Sequence, residues 1–316
     1  MEQIDILLAT YNGEKYLKEQ IDSILKQTYT NFRLIISDDC STDRTLDILK
    51  EYEQKDSRII VYRQEENLGY IKNFGFLLNL VESKFYALSD QDDIWMEDKL
   101  EAALKKIEEK NADLYFSDLY LINEQGKKIS NSFWKEKGFY KKVIKDKKHK
   151  GLLLNNYVTG CTIVSKKEFI KYFIPFPENM MHDYWIAIVL SLKGKIIYDT
   201  VPHINYRQHG DNQIGSKMKS KELNSLDEIR NMFIDIKIKH FSVFNDKKEL
   251  FAKKEQKQNS KALKYYQKLN KTKYINFRNW FLFYKLYKYE NLKYYLANFV
   301  ILNIPMLARI IYKKGK

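Results

Sequence analysis

Residues 4–45 read IDILLATYNGEKYLKEQIDSILKQTYTNFRLIISDDCSTDRT, and the reading of this stretch decides the fold. Residues 4–9 (IDILLA) form a short apolar run that suits a buried strand. Thr10-Tyr11-Asn12-Gly13 then gives a turn signal. Over residues 14–27, Tyr16, Leu17, Ile21, Ile24 and Leu25 recur at helical spacing. Residues 32–36 (FRLII) read as a second buried strand, ending in Ser37-Asp38-Asp39. Ser41-Thr42-Asp43 can cap the helix that carries Leu46, Ile48 and Leu49. The alternation continues with a third strand at 59–62, a turn at Asn67-Leu68-Gly69, a helix with Phe74, Leu77, Leu78 and Val81, and a fourth strand at 85–88. Buried strands alternating with helices predict an α/β, Rossmann-like fold: a mostly parallel central sheet flanked by helices.

In open sheets of this kind, ligands bind beyond the carboxyl ends of the strands. Thr10-Tyr11, Asp38-Asp39 and residues 90–93 all lie at such ends. The last belong to ALSDQDDIW (87–95), in which three carboxylates fall within four residues. Like charges this close repel, and burial adds to the cost. A cation offsets both. Asp90-Gln91-Asp92 has the form Asp-x-Asp, which suits Mg²⁺ or Mn²⁺ against a diphosphate, because these hard ions prefer carboxylate oxygens. Asp93 suits a cap for a helix starting near Met96. There is no G-x-G-x-x-G after the first strand and no G-x-x-x-x-G-K-[ST] anywhere, which disfavours dinucleotide oxidoreductases and P-loop phosphotransferases.

Further on, residues 114–122 read as a strand, 127–150 as a basic loop or short helices, and 158–164 (VTGCTIV) as a strand. A helix from His182 carries Trp185, Ile186, Val189 and Leu190, ends at Gly194, and returns to strand over 195–198. Cys40 and Cys161 make neither a disulfide framework nor a metal-ligand pattern. Residues 1–5 lack the basic start of a secretory signal, so a cytoplasmic location is expected. The net charge of +14 is uneven: residues 217–316 hold 24 Lys+Arg against 8 Asp+Glu, and residues 1–216 the remaining 31 against 33. Such asymmetry points to an anionic partner, or to a solubilising surface. A boundary is expected near residue 218, with residues 1–217 as one domain and 218–316 as a basic, aromatic-rich helical region.

The string at 6–45, with SDQDDIW, MHDYW and YRQHGDN downstream, resembles the family 2 glycosyltransferases of the GT-A fold. The likeness covers roughly residues 3–215 and is most similar to bacterial rhamnosyltransferases that build cell-wall or capsular polysaccharide. It implies that Thr10 and Tyr11 contact the nucleotide, with Tyr11 packed on the base. It implies that Asp39 accepts a hydrogen bond from N3–H of uracil or thymine, with Asp38 assisting or holding the loop. Ordinary turn chemistry is the other reading of both acids. By the same resemblance Asp90 lies near the ribose and diphosphate, Asp92 and His209 are metal ligands, and Arg207 reaches the diphosphate. Asp183 takes the place of the general base, although its position at a helix start suits an N-cap equally. His209 also reads as a solvated loop residue. The implied reaction is a single displacement with inversion, dependent on Mn²⁺ or Mg²⁺. The donor is a dTDP- or UDP-linked sugar, with dTDP-L-rhamnose favoured by resemblance and UDP-linked hexoses or N-acetylhexosamines left open. The acceptor is a glycan or a polyprenyl-diphosphate-linked sugar.

Residues 274–312 interleave aromatic and basic side chains, among them Trp280, Phe281, Phe283, Tyr284 and Tyr287. Residues 294–312 approach the length of a membrane span but contain Asn298, Asn303, Pro305 and Arg309. They read as an interfacial segment at the inner face of the cell membrane, or as a packing or dimer element. A nucleotidyltransferase would use a basic first loop, which TYNGE is not. A nucleic-acid-binding role gives no reason for acids at three strand ends, so no nucleic-acid partner is expected.

Overall fold

The strand expected at residues 4–9 is β1 (Ile4–Thr10), and it lies inside a seven-stranded sheet. The computed structural model describes residues 2–145, 150–210 and 226–271. After β1 come α1 (Leu17–Leu25), β2 (Phe32–Asp38), α2 (Thr45–Lys55), β3 (Ile59–Arg63), α3 (Tyr70–Asn79) and β4 (Phe85–Ser89). Next are β5 (Ile94–Trp95), α4 (Lys99–Lys110), β6 (Leu114–Ser117), β7 (Tyr120–Ile122), β8 (Lys128–Ser130), α5 (Phe133–Glu136) and α6 (Tyr140–Lys145). Then follow β9 (Val164–Lys166), α7 (His182–Lys193), β10 (Ile196–Asp199) and β11 (Ile204–Arg207). The large sheet runs β10-β6-β9-β4-β1-β2-β3, parallel throughout except at β9, which is antiparallel to both neighbours. This is the mixed α/β architecture expected.

The pleat explains the burial. Ile4, Ile6 and Leu8 of β1 and Phe32, Leu34 and Ile36 of β2 share one face. They pack with Leu17, Ile21 and Ile24 of α1, Leu49 of α2, and Leu100 and Ala103 of α4. Leu7 points to the opposite face and is also fully buried, because α3 packs on β1 and β2. Each fully buried Leu or Ile contributes about 2 kcal/mol of transfer free energy. Covering on both faces is why the strands read as continuous apolar runs rather than alternating ones.

The chain runs β1, β2, β3 in one direction, and α3 then carries it back to β4 on the other side of β1. Strand order therefore reverses between β1 and β4. Their carboxyl ends, Thr10 and Ser89, open the crevice where this topology places ligands.

Three local expectations change. The strand expected at 114–122 is two strands in different sheets. Buried Asp118 turns the chain between them: its carboxylate accepts the N–H of Leu119 (2.8 Å) and Trp134 (3.0 Å) and the Ser132 hydroxyl (2.5 Å). β7 then joins a second sheet, β5-β11-β7-β8. Of residues 158–164, Gly160–Thr162 is a 3₁₀ turn, because Thr162 bonds back to the Thr159 carbonyl through its N–H (3.0 Å) and its hydroxyl (2.7 Å). The helix expected near Met96 begins at Lys99.

The chain divides into two compact units. The first is Met1–Val143 with Asn156–Gly210, and the second is Ile144–Asn155 with Asp211–Lys316. In the second, helices Leu226–Asp246 and Lys253–Lys271 form a hairpin. Phe241 stacks on Tyr266 with centroids 5.7 Å apart, and Arg230 donates to the Leu269 carbonyl (3.0 Å). The aromatic-basic stretch at 274–312 lies outside the described residues. Among the described residues, no helix is long and apolar enough to cross a membrane.

Candidate active site

The ends of β1 and β2 are joined by their own polar residues. Register pairs Thr10 with Asp38, and the Thr10 hydroxyl donates to Asp38 Oδ1 (3.1 Å). Asp38 also accepts from the Ser41 N–H (3.0 Å) and the Ser41 hydroxyl (2.5 Å). It is fully buried and ties the end of β1 to the turn after β2. Asp39 accepts the N–H of Leu68 (2.7 Å) on Oδ1 and of Gly69 (2.8 Å) on Oδ2, at the start of α3. Burial pushes its carboxyl up from the usual value. A carboxylate has about four acceptor positions, so two remain for a ligand N–H. Tyr11, by contrast, is 42% exposed, an aromatic face open beside the crevice.

After β4 the chain enters Asp90-Gln91-Asp92-Asp93. Asp90 is partly buried, and its carboxyl is pushed up to about 7 by burial and by the charges of Asp92 and Asp183. Acids 93 residues apart in sequence therefore share one electrostatic site. Asp92 Oδ2 lies 2.7 Å from His209 Nε2, so the two expected metal ligands are brought together. Gln91 turns to the first loop: Oε1 accepts the Tyr11 N–H (2.8 Å), and Nε2 donates to the Tyr11 carbonyl (3.0 Å).

Asp93 and Arg207 differ from expectation. Asp93 does not cap α4. It is fully buried, and its Oδ1 accepts the Arg207 N–H (3.1 Å). Arg207 is 1% exposed and turned inward. Its Nε donates to the Asp92 carbonyl (2.8 Å), one terminal nitrogen to the Glu124 carbonyl (2.9 Å), and the other to Glu19 Oε2 (2.6 Å). The guanidinium also lies 4.5 Å from the Tyr16 ring centroid. With its nitrogens committed to these partners, Arg207 holds the Asp92 turn from behind, and the diphosphate contact expected of it finds no support in this geometry.

Asp183 sits in the first turn of α7, almost wholly buried. Its Oδ1 accepts Asn156 Nδ2 (3.2 Å) and its neighbour's N–H, that of Tyr184 (2.5 Å). The N-cap residue is Met181, so Asp183 is not the cap. Burial pushes its carboxyl up to about 7, and these hydrogen bonds only partly counter the shift. A carboxyl with this value exchanges protons near neutral pH. His182 stacks on Phe74 with centroids 4.2 Å apart, and neither ring nitrogen has a hydrogen-bond partner. Burial drives its pKa down to about 3, so the ring is neutral.

The donor set at Asp92 and His209 suits a hard divalent ion. Burial and the charges of Asp92 and Asp183 make Asp90 resist ionisation, and a cation held by Asp92 and His209 would offset the second of these. Carboxylate and imidazole are suitable ligands for Mn²⁺, and the carboxylates for Mg²⁺. Asp90, Asp93 and Cys161 also bring one ligand atom each within 4.8 Å of one another. That trio is the poorer choice: burial pushes Asp93 and the Cys161 thiol well up, which disfavours the charged forms a metal binds, and hard ions avoid thiols.

Sequence reasoning missed Gln91, Glu19 and Asn156. Gln91 carried a signal, an amide inside Asp-x-Asp. Glu19 and Asn156 carried none, since each is one polar residue among many.

Residues 5–173 match the family described as glycosyl transferase family 2. A glycosyltransferase of Methanocaldococcus jannaschii is 33% identical over 226 residues, covering 70% of this chain and 76% of its own. The dTDP-rhamnosyl transferase RfbG of Shigella flexneri is 32% identical over 232 residues, covering 68% of this chain and 75% of its own. Staphylococcus aureus TarS 1–349 in complex with UDP-GlcNAc superposes with a TM-score of 0.61 at 18% identity, covering 99% of this chain and 92% of that one. A mannosyltransferase from Pyrobaculum calidifontis, in complex with GDP-Man and Mn²⁺, gives 0.57 at 14% identity over 99% and 79% of the two chains. At these identities the structural likeness concerns the fold. A family match over more than half the chain, with relatives spanning two thirds or more of it, leads to one conclusion: the chain belongs to glycosyl transferase family 2.

Proposed function

We propose that this glycosyltransferase is an inverting, metal-dependent enzyme that uses a pyrimidine-nucleotide sugar, with dTDP-L-rhamnose as donor. The observation that carries the reaction type is Asp183: a carboxyl buried in the first turn of α7, which burial pushes up to about 7, and whose charge also raises Asp90. Asp183 takes the proton of an acceptor hydroxyl as that oxygen attacks the anomeric carbon. The bond from that carbon to the diphosphate oxygen breaks in the same step, and the configuration inverts. Asp92 and His209 would hold Mn²⁺ or Mg²⁺, which would supply positive charge against the departing diphosphate. Tyr11 offers its exposed ring to the base, and Asp39 offers its free acceptor positions to the N3–H donor of uracil or thymine. Thr10, Asp38 and Asp90 set the shape of the crevice around the ribose and diphosphate. Most of the rate comes from aligning the two substrates.

The rhamnose donor is supported by the Shigella relative, while the solved neighbours hold UDP-GlcNAc and GDP-Man. A lipid-linked or polysaccharide acceptor, and attachment at the inner membrane face through residues 218–316, are supported by the basic charge of that region. The test is thermal stabilisation by dTDP, UDP, GDP, CDP and ADP, each with Mn²⁺ and with EDTA. Stabilisation by dTDP or UDP that needs the metal is expected. A purine nucleotide acting alone, or equal stabilisation in EDTA, would overturn the reading. The product anomer from dTDP-rhamnose, read by NMR, then checks inversion.

A further inference from the structure

We propose that Gln91 is a positioning residue that couples the base-contacting turn to the metal-contacting turn, so that nucleoside and divalent cation bind cooperatively through the protein. The inference rests on the roles proposed above for Tyr11, Asp92 and His209. The turn after β1 exposes four consecutive backbone N–H groups, and each is taken by a side chain. Asn12 donates to Ser41 Oγ (2.9 Å), Gly13 to Thr45 Oγ1 (2.8 Å) and Glu14 to Asp43 Oδ2 (3.1 Å), all from the segment after β2. The first, from Tyr11, goes to Gln91 Oε1 (2.8 Å), and Gln91 also donates to the Tyr11 carbonyl (3.0 Å). The amide thus pairs with Tyr11 as a neighbouring strand would, holding both main-chain groups of the residue at once.

Gln91 is flanked directly by Asp90 and Asp92. Any shift of Tyr11 onto a base is therefore carried to the carboxylates one residue away on either side. Thermodynamic reciprocity requires the converse: an ion that fixes Asp92 fixes Tyr11.

Gly13 shows how tightly the amide passes. A Cβ at Gly13 would lie 2.4 Å from Gln91 Oε1 and 2.7 Å from Cδ. The Gly13 backbone is not in the left-handed region, so conformation alone makes no demand for glycine. Space for Gln91 does. The asparagine-glycine pair of TYNGEKY reads as a turn signal, yet the glycine serves the residue in the middle of Asp-x-Asp.

Two measurements test this on the full chain. The first is binding of thymidine and uridine, followed by isothermal titration calorimetry with and without Mn²⁺. A nucleoside has no phosphate to touch the ion, so any effect of Mn²⁺ passes through the protein. Mn²⁺ is expected to tighten nucleoside binding about fivefold in the native chain and to have no effect in Gln91→Ala. Equal tightening in both chains, or none in the native chain, overturns the coupling. The second is thermal unfolding of Gly13→Ala, Gln91→Ala and the double variant, which needs no ligand. Gly13→Ala is expected to lower the melting temperature in the native background and to cost nothing more once Gln91 is Ala. Additive losses would overturn the clamp while leaving the proposed function standing. A non-additive cycle with no nucleoside or nucleotide binding at all would overturn the proposed function, and the coupling with it.

Discussion

The turn after β1 and the first turn of α7 belong to the same unit, yet they treat polar groups in opposite ways. In the first, N–H groups of residues 11–14 and the carboxylates of Asp38 and Asp39 have partners within hydrogen-bond distance. In the second, His182 has two unpaired ring nitrogens and Asp183 has a carboxyl that burial keeps near pKa 7. A satisfied turn is rigid and suits recognition. An under-satisfied helix start stores free energy that a chemical step can use, because a base held away from water regains stability when it accepts a proton.

The largest effect expected from this contrast is at Asp183. Asp183→Asn should lower turnover by about 10³-fold and leave nucleotide affinity unchanged. In the native chain, kcat/KM should rise with pH through about 7 as Asp183 becomes ionised. The same variant should be more stable than the native chain. The folded pKa of Asp183 lies above the ordinary 3.8, so its contribution to stability is present at low pH and lost as pH rises toward 7. The advantage of Asn should therefore be absent near pH 4, grow to at most about 4 kcal/mol at pH 7, and level off above. Denaturant titrations at pH 4.5 and 7.5 decide this. Unchanged turnover, or a stability gain independent of pH, would remove Asp183 from the role of buried base.

Arg207 sharpens the contrast from the satisfied side. Its guanidinium closes three hydrogen bonds behind the Asp92 turn. Arg207→Met should cost about 2 kcal/mol of stability, chiefly by leaving the Asp92 and Glu124 carbonyls without their donor, while the exposed Glu19 carboxylate turns to water. Its effect on donor KM should stay below the roughly tenfold change that a lost charged hydrogen bond to a diphosphate would bring. A near-normal melting temperature with a large KM change would restore the diphosphate role.

These residues also show what the sequence can and cannot reveal. Apolar runs of four to six residues separated by helical spacing were enough to place β1 through β4 and their helices, because a sheet covered on both faces leaves little freedom in composition. The shared rim of Thr10, Asp39, Asp90 and Asp92 follows from the same topology. The direction of a side chain does not. Arg207 and His209 are two residues apart, yet the first side chain meets the Asp92 carbonyl and only the second its carboxylate. Asp118 ends a strand by turning its carboxylate back to three partners, a choice that depends on Ser132 and Trp134, more than ten residues away. Long-range satisfaction of single polar groups is the part of the structure that local pattern leaves open.

The smallest expected effect lies one residue before Asp183, and it has the opposite dependence on pH. His182 is enclosed by Phe74, Tyr70 and Phe176, and burial holds its pKa near 3. Phenylalanine matches the ring and removes two buried polar atoms, so His182→Phe should be neutral to about 1 kcal/mol stabilising near pH 7. A histidine whose folded pKa is depressed contributes stability above its ordinary 6.5 and loses it as pH falls toward 3. The advantage of Phe should thus grow from pH 7 to pH 5, where that of Asp183→Asn shrinks. Opposite slopes in two adjacent variants would show that the first turn of α7 is destabilised by both a neutral imidazole and a neutral carboxyl, each held from its preferred charge by the same burial. A loss of stability in His182→Phe at every pH would mean that the imidazole nitrogens are paired in solution, and the contrast between the two turns would then rest on Asp183 alone.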